Sequence, residues 1–557
     1  MSGILIIGGY GGFGARLSRR LAAKGHTLLV AGRSLEKASR FCAEIPGAVP
    51  VAADRNGNLA SIFARHTPDL VIDAAGPFQS SSYAVPEACV AAGIPYLDLA
   101  DARDFVTDIG VLDAAARAAG VVVIAGASSV PALSGAVARD LSRGIDDVRQ
   151  VDVAITASNR AGAGPSVTQA ILSYVGKPMR LWRGRRWTHG FGWQDLRRET
   201  FRAGTGPAIR RWVALADVPD HDLMPPMLPG RPAVTFRAGT ELAFQNLFLW
   251  AASWPIRWGW LSSLGGASWL TRLQRLTIRF GGDRSAMSVT VKGLVAGEGV
   301  ERRWTLVADK GDGPEIPTMA AALIAEDIVA GRLEAGARDA SLLLTFDRFE
   351  PMFAALAIVH ERVERRLPPP LYERVMGPDF VALPPAVRCI HSICGDDGAD
   401  GQGHVARGGN PVARAIGWLM RFPPPGDHDL HVAFAERDGV ETWTRNFGGH
   451  CFSSRLSEGR GLAVERFGPL RFGFALTGDA SGLTMQLRRW SCFGVPLPLV
   501  LGPRVQAREW QDADRFRFEV GIALPLIGKI VDYAGWLTPP IPSTACGRGT
   551  GSRSEPG

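Results

Sequence analysis

From residue 4 to about residue 128, short apolar runs alternate with stretches whose apolar residues recur at helical spacing. The runs occupy residues 4–7, 26–31, 49–54, 69–78, 94–101 and 121–128. Between them, residues 15–25 place Leu17, Leu21 and Ala22 on one helical face, and 80–92 and 111–119 read as further helices. Runs that are apolar almost throughout, joined by helical crossovers, predict strands covered on both faces in a doubly wound parallel sheet of Rossmann type. Ligands on such sheets sit at the carboxyl ends of the strands. Asp54, the turn Ala75, Gly76, Pro77 and Phe78, Asp98, and the turn 126–129 are thereby expected around one crevice.

Farther along, the pattern changes twice. Residues 131–365 are expected to form an α+β second domain for substrate binding or dimerisation. At 365–372 the chain reads RRLPPPLY, a Pro-rich joint. After it, 371–540 alternates apolar and polar positions between glycine turns, which predicts a β-rich C-terminal domain, strongly bent or half closed. The apolar, proline-bearing stretch 493–503 is expected at a sheet edge or in a loop. Residues 541–557, rich in Gly, Ser and Arg, are expected to be a disordered tail.

The first apolar run leads directly into a glycine-dense turn. Residues 4–14 are ILIIGGYGGFG, and Gly9, Gly11 and Gly14 fit GxGxxG between a strand and a helix. In that setting glycines allow a tight turn, close backbone approach to a pyrophosphate and close helix packing, while the helix start offers free N–H groups and a positive dipole end. The loop Gly8, Gly9, Tyr10, Gly11, Gly12, Phe13 and Gly14 is therefore the candidate diphosphate site. An NAD site usually carries Asp or Glu at the end of the second strand, to bind the ribose 2′-hydroxyl. Here the chain has Gly32, Arg33 and Ser34. A guanidinium without a competing carboxylate favours a 2′-phosphate, so NADP is the expected cofactor.

The net charge of +8 is carried almost wholly by arginine, only six of the 62 cations being lysine, and they are scattered among acidic residues. Substitution of Arg for Lys accounts for that balance, and no nucleic-acid partner is expected. Seven cysteines, mostly far apart, suggest reduced thiols of an intracellular protein. Cys389, His391 and Cys394 lack a second pair at zinc-finger spacing, so no metal is expected. The N-terminus has no cationic region ahead of its apolar run, so no secretory signal is read and the cytoplasm is the default location. No tyrosine has a lysine four residues on, and HExxH, GxSxG and GxxxxGK[ST] are absent, which sets aside short-chain reductase, metalloprotease, esterase and P-loop chemistry.

GGYGGFG, the AGR at the second strand end, DLVIDAAGPF, YLDLAD and GASSVPALS together resemble the NADP-binding domain of the saccharopine dehydrogenase and saccharopine reductase superfamily. Residues 302–337 resemble the segment with which those proteins finish their second domain. The C-terminal part resembles a bacterial domain of unknown function often found behind such domains. The resemblance implies a Rossmann domain over 1–130 and an NADP-dependent oxidoreductase, and names no substrate.

Hydride transfer needs orientation, dryness and a proton donor. Asp98 is the first candidate acid, with backbone capping as its alternative role, and Lys292 is the second. Ser128 and Ser129 are open between helix capping and cofactor contact. Arg488, Arg489, Trp490, Arg504, Glu509 and Trp510 are a candidate pocket, or ordinary cross-strand pairs. Five tryptophans lie in 242–270, interrupted by Pro255 and a Gly pair, too broken to span a membrane. Core or dimer interface, peripheral membrane contact, and a wall for a hydrophobic small-molecule substrate remain open for that segment. The alternatives to the reductase are a non-catalytic NADP-binding sensor or scaffold, and a lipid-modifying reductase at the membrane surface.

Overall fold

The computed structural model describes residues 3–160, 165–264 and 277–540. The expected tail at 541–557 lies outside the described residues, as do residues 265–270 of the tryptophan segment. The N-terminal part runs β1 (Gly3–Ile7), α1 (Gly12–Ala23), β2 (Thr27–Gly32), α2 (Leu35–Cys42), β3 (Val49–Ala52), α3 (Leu59–His66), β4 (Leu70–Asp73), α4 (Ala84–Ala91), β5 (Tyr96–Asp98), α5 (Arg103–Thr107), α6 (Asp113–Ala118) and β6 (Val122–Ala125). All six strands are parallel, in the order β6-β5-β4-β1-β2-β3. Alternate side chains of β1 feed two cores, Ile4 and Ile6 on one face and Leu5 and Ile7 on the other, which is why the run is apolar throughout. Strand order reverses between β1 and β4, and the crevice opens there.

A seventh parallel strand, Gly336–Asp339, pairs with β6 and comes from far down the chain. The helix before it, Ile316–Val329, packs on α1, where Glu315 pairs with Arg16 and Arg20 and Glu326 with Lys24. The first sheet is thus completed by the segment that the resemblance assigned to the end of the second domain.

A second, seven-stranded sheet takes the order Arg197–Phe201, Ile209–Leu215, Ala233–Thr240, Asp147–Ala157, Ser285–Val295, Glu298–Ala308 and Ile358–Arg366. Only Asp147–Ala157 and Ala233–Thr240 pair in parallel. Helices Asp220–Met227 and Ala243–Arg257 flank it.

In the C-terminal domain, ten antiparallel strands from Asp396–Arg407 to Gly528–Leu537 close on themselves, because Leu470–Asp479 pairs with Gly482–Cys492 and that strand in turn pairs with Arg504–Asp512. The expected strongly bent or half-closed sheet closes fully, which leaves no unpaired edge in the ring. Val495–Leu497 is a short strand added outside it. Leu371, Tyr372, Phe380, Leu383, Val387 and Ile390, on the helical stretch ahead of the ring, pack into its interior and plug it.

Two sequence expectations shift at prolines. The run 69–78 stops being a strand at Asp73, and residues 74–78 turn across the sheet end, with the Ala74 N–H bonded to the Ile7 carbonyl. Ser128 and Ser129, candidate helix caps, do not adjoin a helix start: the chain makes a wide turn over Ser129–Leu133 with Val130 extended, and the helix starts at Ser134. A residue before proline is pushed out of the helical region.

Candidate functional site

The loop between β1 and α1 is held by short backbone bonds: the Gly8 N–H to the Ala31 carbonyl, and the Gly11 N–H to the Gly8 carbonyl, each 2.8 Å. A Cβ on Gly14 would collide with the Gly8 carbonyl, so α1 starts tightly against the loop. At Gly12 a Cβ would meet nothing within 4 Å. Gly11 and Gly12 are exposed, α1 has no side-chain cap, and its first turn has no acidic residue. Among the described residues the N–H groups of Gly12, Phe13 and Gly14 have no protein acceptor. Free donors, a positive dipole end and open space fit a diphosphate.

At the end of β2, the Tyr10 ring lies so close over Gly32 that a Cβ there would clash with it. The Tyr10 hydroxyl accepts the Ser34 N–H at 3.0 Å, and the Ser34 hydroxyl accepts the Lys37 N–H at 3.3 Å, capping α2. That hydroxyl keeps its proton for donation. Arg33 is exposed and has no ion-pair partner among the described residues. Asp54 is exposed at the end of β3, where its carboxylate accepts the Asn56 N–H at 3.0 Å.

Arg55, unmarked by any motif, organises the next turn. Its guanidinium pairs with buried Asp73 at 2.8 Å, donates to the Ala75 carbonyl at 3.0 Å and the Ser81 hydroxyl at 2.9 Å, and lies 4.8 Å over the Phe78 ring. Ala75, Gly76 and Pro77 remain partly exposed at the crevice, and a Cβ on Gly8 would press on Ala75. Phe78 is different: its ring is buried against Phe105, so its side chain belongs to the core beneath the turn rather than to the crevice surface. Only the position of Arg55, at a strand end on the ligand side, could have pointed to it in the sequence. Arg55→Met is expected to leave Asp73 buried without its cation and to cost about 3–5 kcal/mol of stability, measured by denaturant unfolding.

Asp98, fully buried at the end of β5, accepts two backbone N–H groups on Oδ1, from Ala100 at 2.9 Å and Gly126 at 2.8 Å. Burial pushes its carboxyl up to about 7, against the opposing effect of those two bonds, and the Asp73 charge pushes the same way. The capping role is thus observed, and the raised carboxyl does not conflict with the candidate acid role. Ser128 and Ser129 are buried in the adjoining turn without a side-chain capping bond.

The first two domains are joined by contacts that the sequence did not disclose. Arg103 of α5 donates to Asp222 at 2.5 Å and to Asp217 at 3.0 Å, tying the first domain to the second sheet's helix. Gln79 donates to Asp101 at 3.2 Å, and the charges of Asp101 and Asp217 join burial in raising the Tyr174 phenol well above its usual range. Lys292 is not brought to the strand ends; it pairs with Glu436 of the barrel at 3.4 Å. The six C-terminal candidates do not converge either. Glu509 faces into the barrel and bonds His391 at 2.6 Å, whereas Arg489 and Trp490 bond nearby carbonyls of Gly459 and Pro498 and Arg504 is exposed. His391 stacks on Tyr372 at 3.7 Å between ring centres, and the Cys394 thiol faces the Gly293 carbonyl at 3.6 Å.

Residues 4–124 match the family described as saccharopine dehydrogenase NADP binding domain, and residues 383–537 match a domain of unknown function, DUF4166. Saccharopine dehydrogenase (L-Glu forming) from Saccharomyces cerevisiae is similar at 12% identity and a TM-score of 0.47, over 66% of this chain and 100% of that one. The amine dehydrogenase of Mycobacterium smegmatis is similar at 12% identity and a TM-score of 0.35, over 62% of this chain and 95% of that one. No curated protein matches the chain. The N-terminal match makes the protein an oxidoreductase with a nicotinamide dinucleotide cofactor.

Proposed function

We propose that this oxidoreductase, built on a saccharopine dehydrogenase-type NADP binding domain, uses NADP to reduce or oxidise a small polar molecule held between its first two domains. The observation that carries the reading is the uncapped start of α1, whose free N–H groups face open space at Gly12. Those groups bind the diphosphate, Arg33 and the Ser34 hydroxyl bind the 2′-phosphate, and the Ala75–Gly76–Pro77 turn sets the depth of the nicotinamide half. When bound, the nicotinamide supplies or accepts hydride at C4.

The chain's own contribution is orientation and one proton. Asp98, protonated for much of the time near neutrality, holds that proton on Oδ2 while Oδ1 stays fixed by the Ala100 and Gly126 N–H groups. We assign Gln79, Asp101, Tyr174 and Asp217, polar groups near one another at the junction of the first two domains, to a substrate with polar atoms of its own. Calorimetric titration with NADPH and NADH tests the cofactor assignment. Arg33→Asp is expected to weaken NADPH by about 10²-fold, the loss of a charge-assisted bidentate contact and its replacement by repulsion, and to leave NADH nearly unchanged. Equal losses for both nucleotides, or no binding of either by the native protein, would overturn it.

A further inference from the structure

The helix Ala243–Arg257 is mounted with its faces in an unusual arrangement. Its inner side carries Asn246, Leu249, Ser253 and Ile256, all buried. Asn246 donates to the Thr240 carbonyl at 2.8 Å and accepts the Thr240 N–H at 3.0 Å, while Ser253 donates to the Trp250 carbonyl at 2.7 Å. The side turned to solvent is the more apolar of the two. Phe244, Leu247 and Ala251 follow one another there at helical spacing, and the same line continues through Trp258 to Trp260 and Leu261. Phe244 is 48% exposed, Trp258 55% and Trp260 73%. Thr277, which bonds Gln245 of the helix, brings Arg279 and Phe280 alongside, and Phe280 is 79% exposed. A surface helix ordinarily puts its polar residues on this side.

Charge distinguishes what such a face meets. All 54 acidic residues of the chain lie outside residues 242–282, whereas four arginines, Arg257, Arg272, Arg275 and Arg279, lie inside that span. Arg257 reaches Gln194, a neutral partner, at 2.6 Å and lies over the rings of Phe191 and Trp254, and it has no carboxylate partner among the described residues. Exposed tryptophan and phenylalanine on one helix face, with arginine in a stretch that carries no acidic residue and with the flanking Glu241 paired to Arg211, are the features of a segment lying in the plane of an anionic bilayer. Tryptophan suits headgroup depth, having an apolar ring and a polar N–H. The helix has 15 residues, and no described helix is long and apolar enough to cross a membrane, so the contact is with the surface.

We propose that the outer face of Ala243–Arg257, with Trp258, Trp260, Leu261 and Phe280, binds the surface of membranes rich in anionic lipid. The contact is independent of the cofactor assignment. Co-sedimentation of the full-length protein with vesicles of phosphatidylcholine containing phosphatidylserine tests it. Binding is expected, at least about tenfold weaker on pure phosphatidylcholine vesicles and weakened by added salt. Leu247→Glu combined with Trp258→Glu is expected to lower the partition coefficient at least about tenfold with an unchanged circular dichroism spectrum and unchanged nucleotide affinity. Absence of vesicle binding by the native protein, or a double variant that binds like it, would overturn the proposal. So would a native protein that fails to bind vesicles but forms a dimer by light scattering that the double variant loses, because the face would then serve a second copy of the chain. If the double variant unfolds, Trp260→Ser with Leu261→Ser beyond the helix end must show the same loss, or the proposal fails.

Discussion

Gly12→Glu is expected to abolish nucleotide binding while leaving the protein folded. Gly12 is the first residue of α1, and a side chain there would extend into open space rather than into the loop. Glutamate is also a favourable residue in the first turn of a helix, where it complements the positive dipole end. The same position makes it a direct competitor of a diphosphate for the N–H groups of Gly12, Phe13 and Gly14. Two like charges about 4 Å apart at an effective dielectric constant near 20 repel by about 4 kcal/mol, so a loss of at least 10²-fold in affinity is expected. Unlike Arg33→Asp, this change should affect NADPH and NADH equally, because both carry the diphosphate. Titration calorimetry with both nucleotides, beside a thermal melt, is the check. Retained affinity in a folded variant would mean that the nucleotide does not lie over this helix start.

Asp98→Asn should separate the proton from the scaffold. The amide oxygen of asparagine can still accept the Ala100 and Gly126 N–H groups, so the turn after β5 is kept. What is lost is an acid whose carboxyl is pushed up to about 7 by burial. Turnover is expected to fall by about 10²–10⁴-fold with nucleotide affinity unchanged. In the native protein the reduction rate should decline as pH rises through about 7, since the protonated form is the donor, and the variant's residual rate should lose that dependence.

Stability carries the same signature. A carboxyl raised on folding contributes stability that is fully present below the ordinary carboxylate range and is lost as pH rises through about 7. Stability should therefore shift in favour of the Asn variant as pH rises from about 4 to about 7, by a few kcal/mol in all, and the difference should level off above that. An equal pH response of the two proteins, in rate and in melting, would mean that Asp98 is ionised throughout and acts only as a cap.

The sequence showed the nucleotide half of the site more fully than the substrate half, for physical reasons. A diphosphate cradle is built from local backbone, one loop and the helix that follows, so its requirements fall on consecutive residues from Gly8 to Gly14. The NADP expectation likewise rests on two adjacent residues, Arg33 and Ser34. Arg55 acts through Asp73, Ala75 and Ser81, contacts 18 to 26 positions away, and no short pattern records such a distance. Phe78 shows the opposite limit. Its place in the turn was legible, but the direction of its ring depends on Phe105 and Arg55 packing around it. The alternation in 396–537 disclosed strands, yet ring closure depends on pairing between Leu470–Asp479 and Gly482–Cys492 together with the return of Arg504–Asp512, a matter of register rather than composition.

By itself, the sequence determined the six strands through β6, the helices that follow β1, β4 and β5, the glycine loop proposed to bind a diphosphate and the missing carboxylate at the end of β2, because hydrophobic period and glycine placement act over a few residues. Only the tertiary structure decided that a strand at Gly336–Asp339 completes the first sheet, that Arg103 joins α5 to Asp217 and Asp222, and that Lys292 faces the barrel instead of the crevice. It also decided that an apolar helix face at Phe244 and Leu247 looks outward. In each of those cases the partners are distant in the chain, and what selects them is the burial of surfaces that exist only after the local elements have formed.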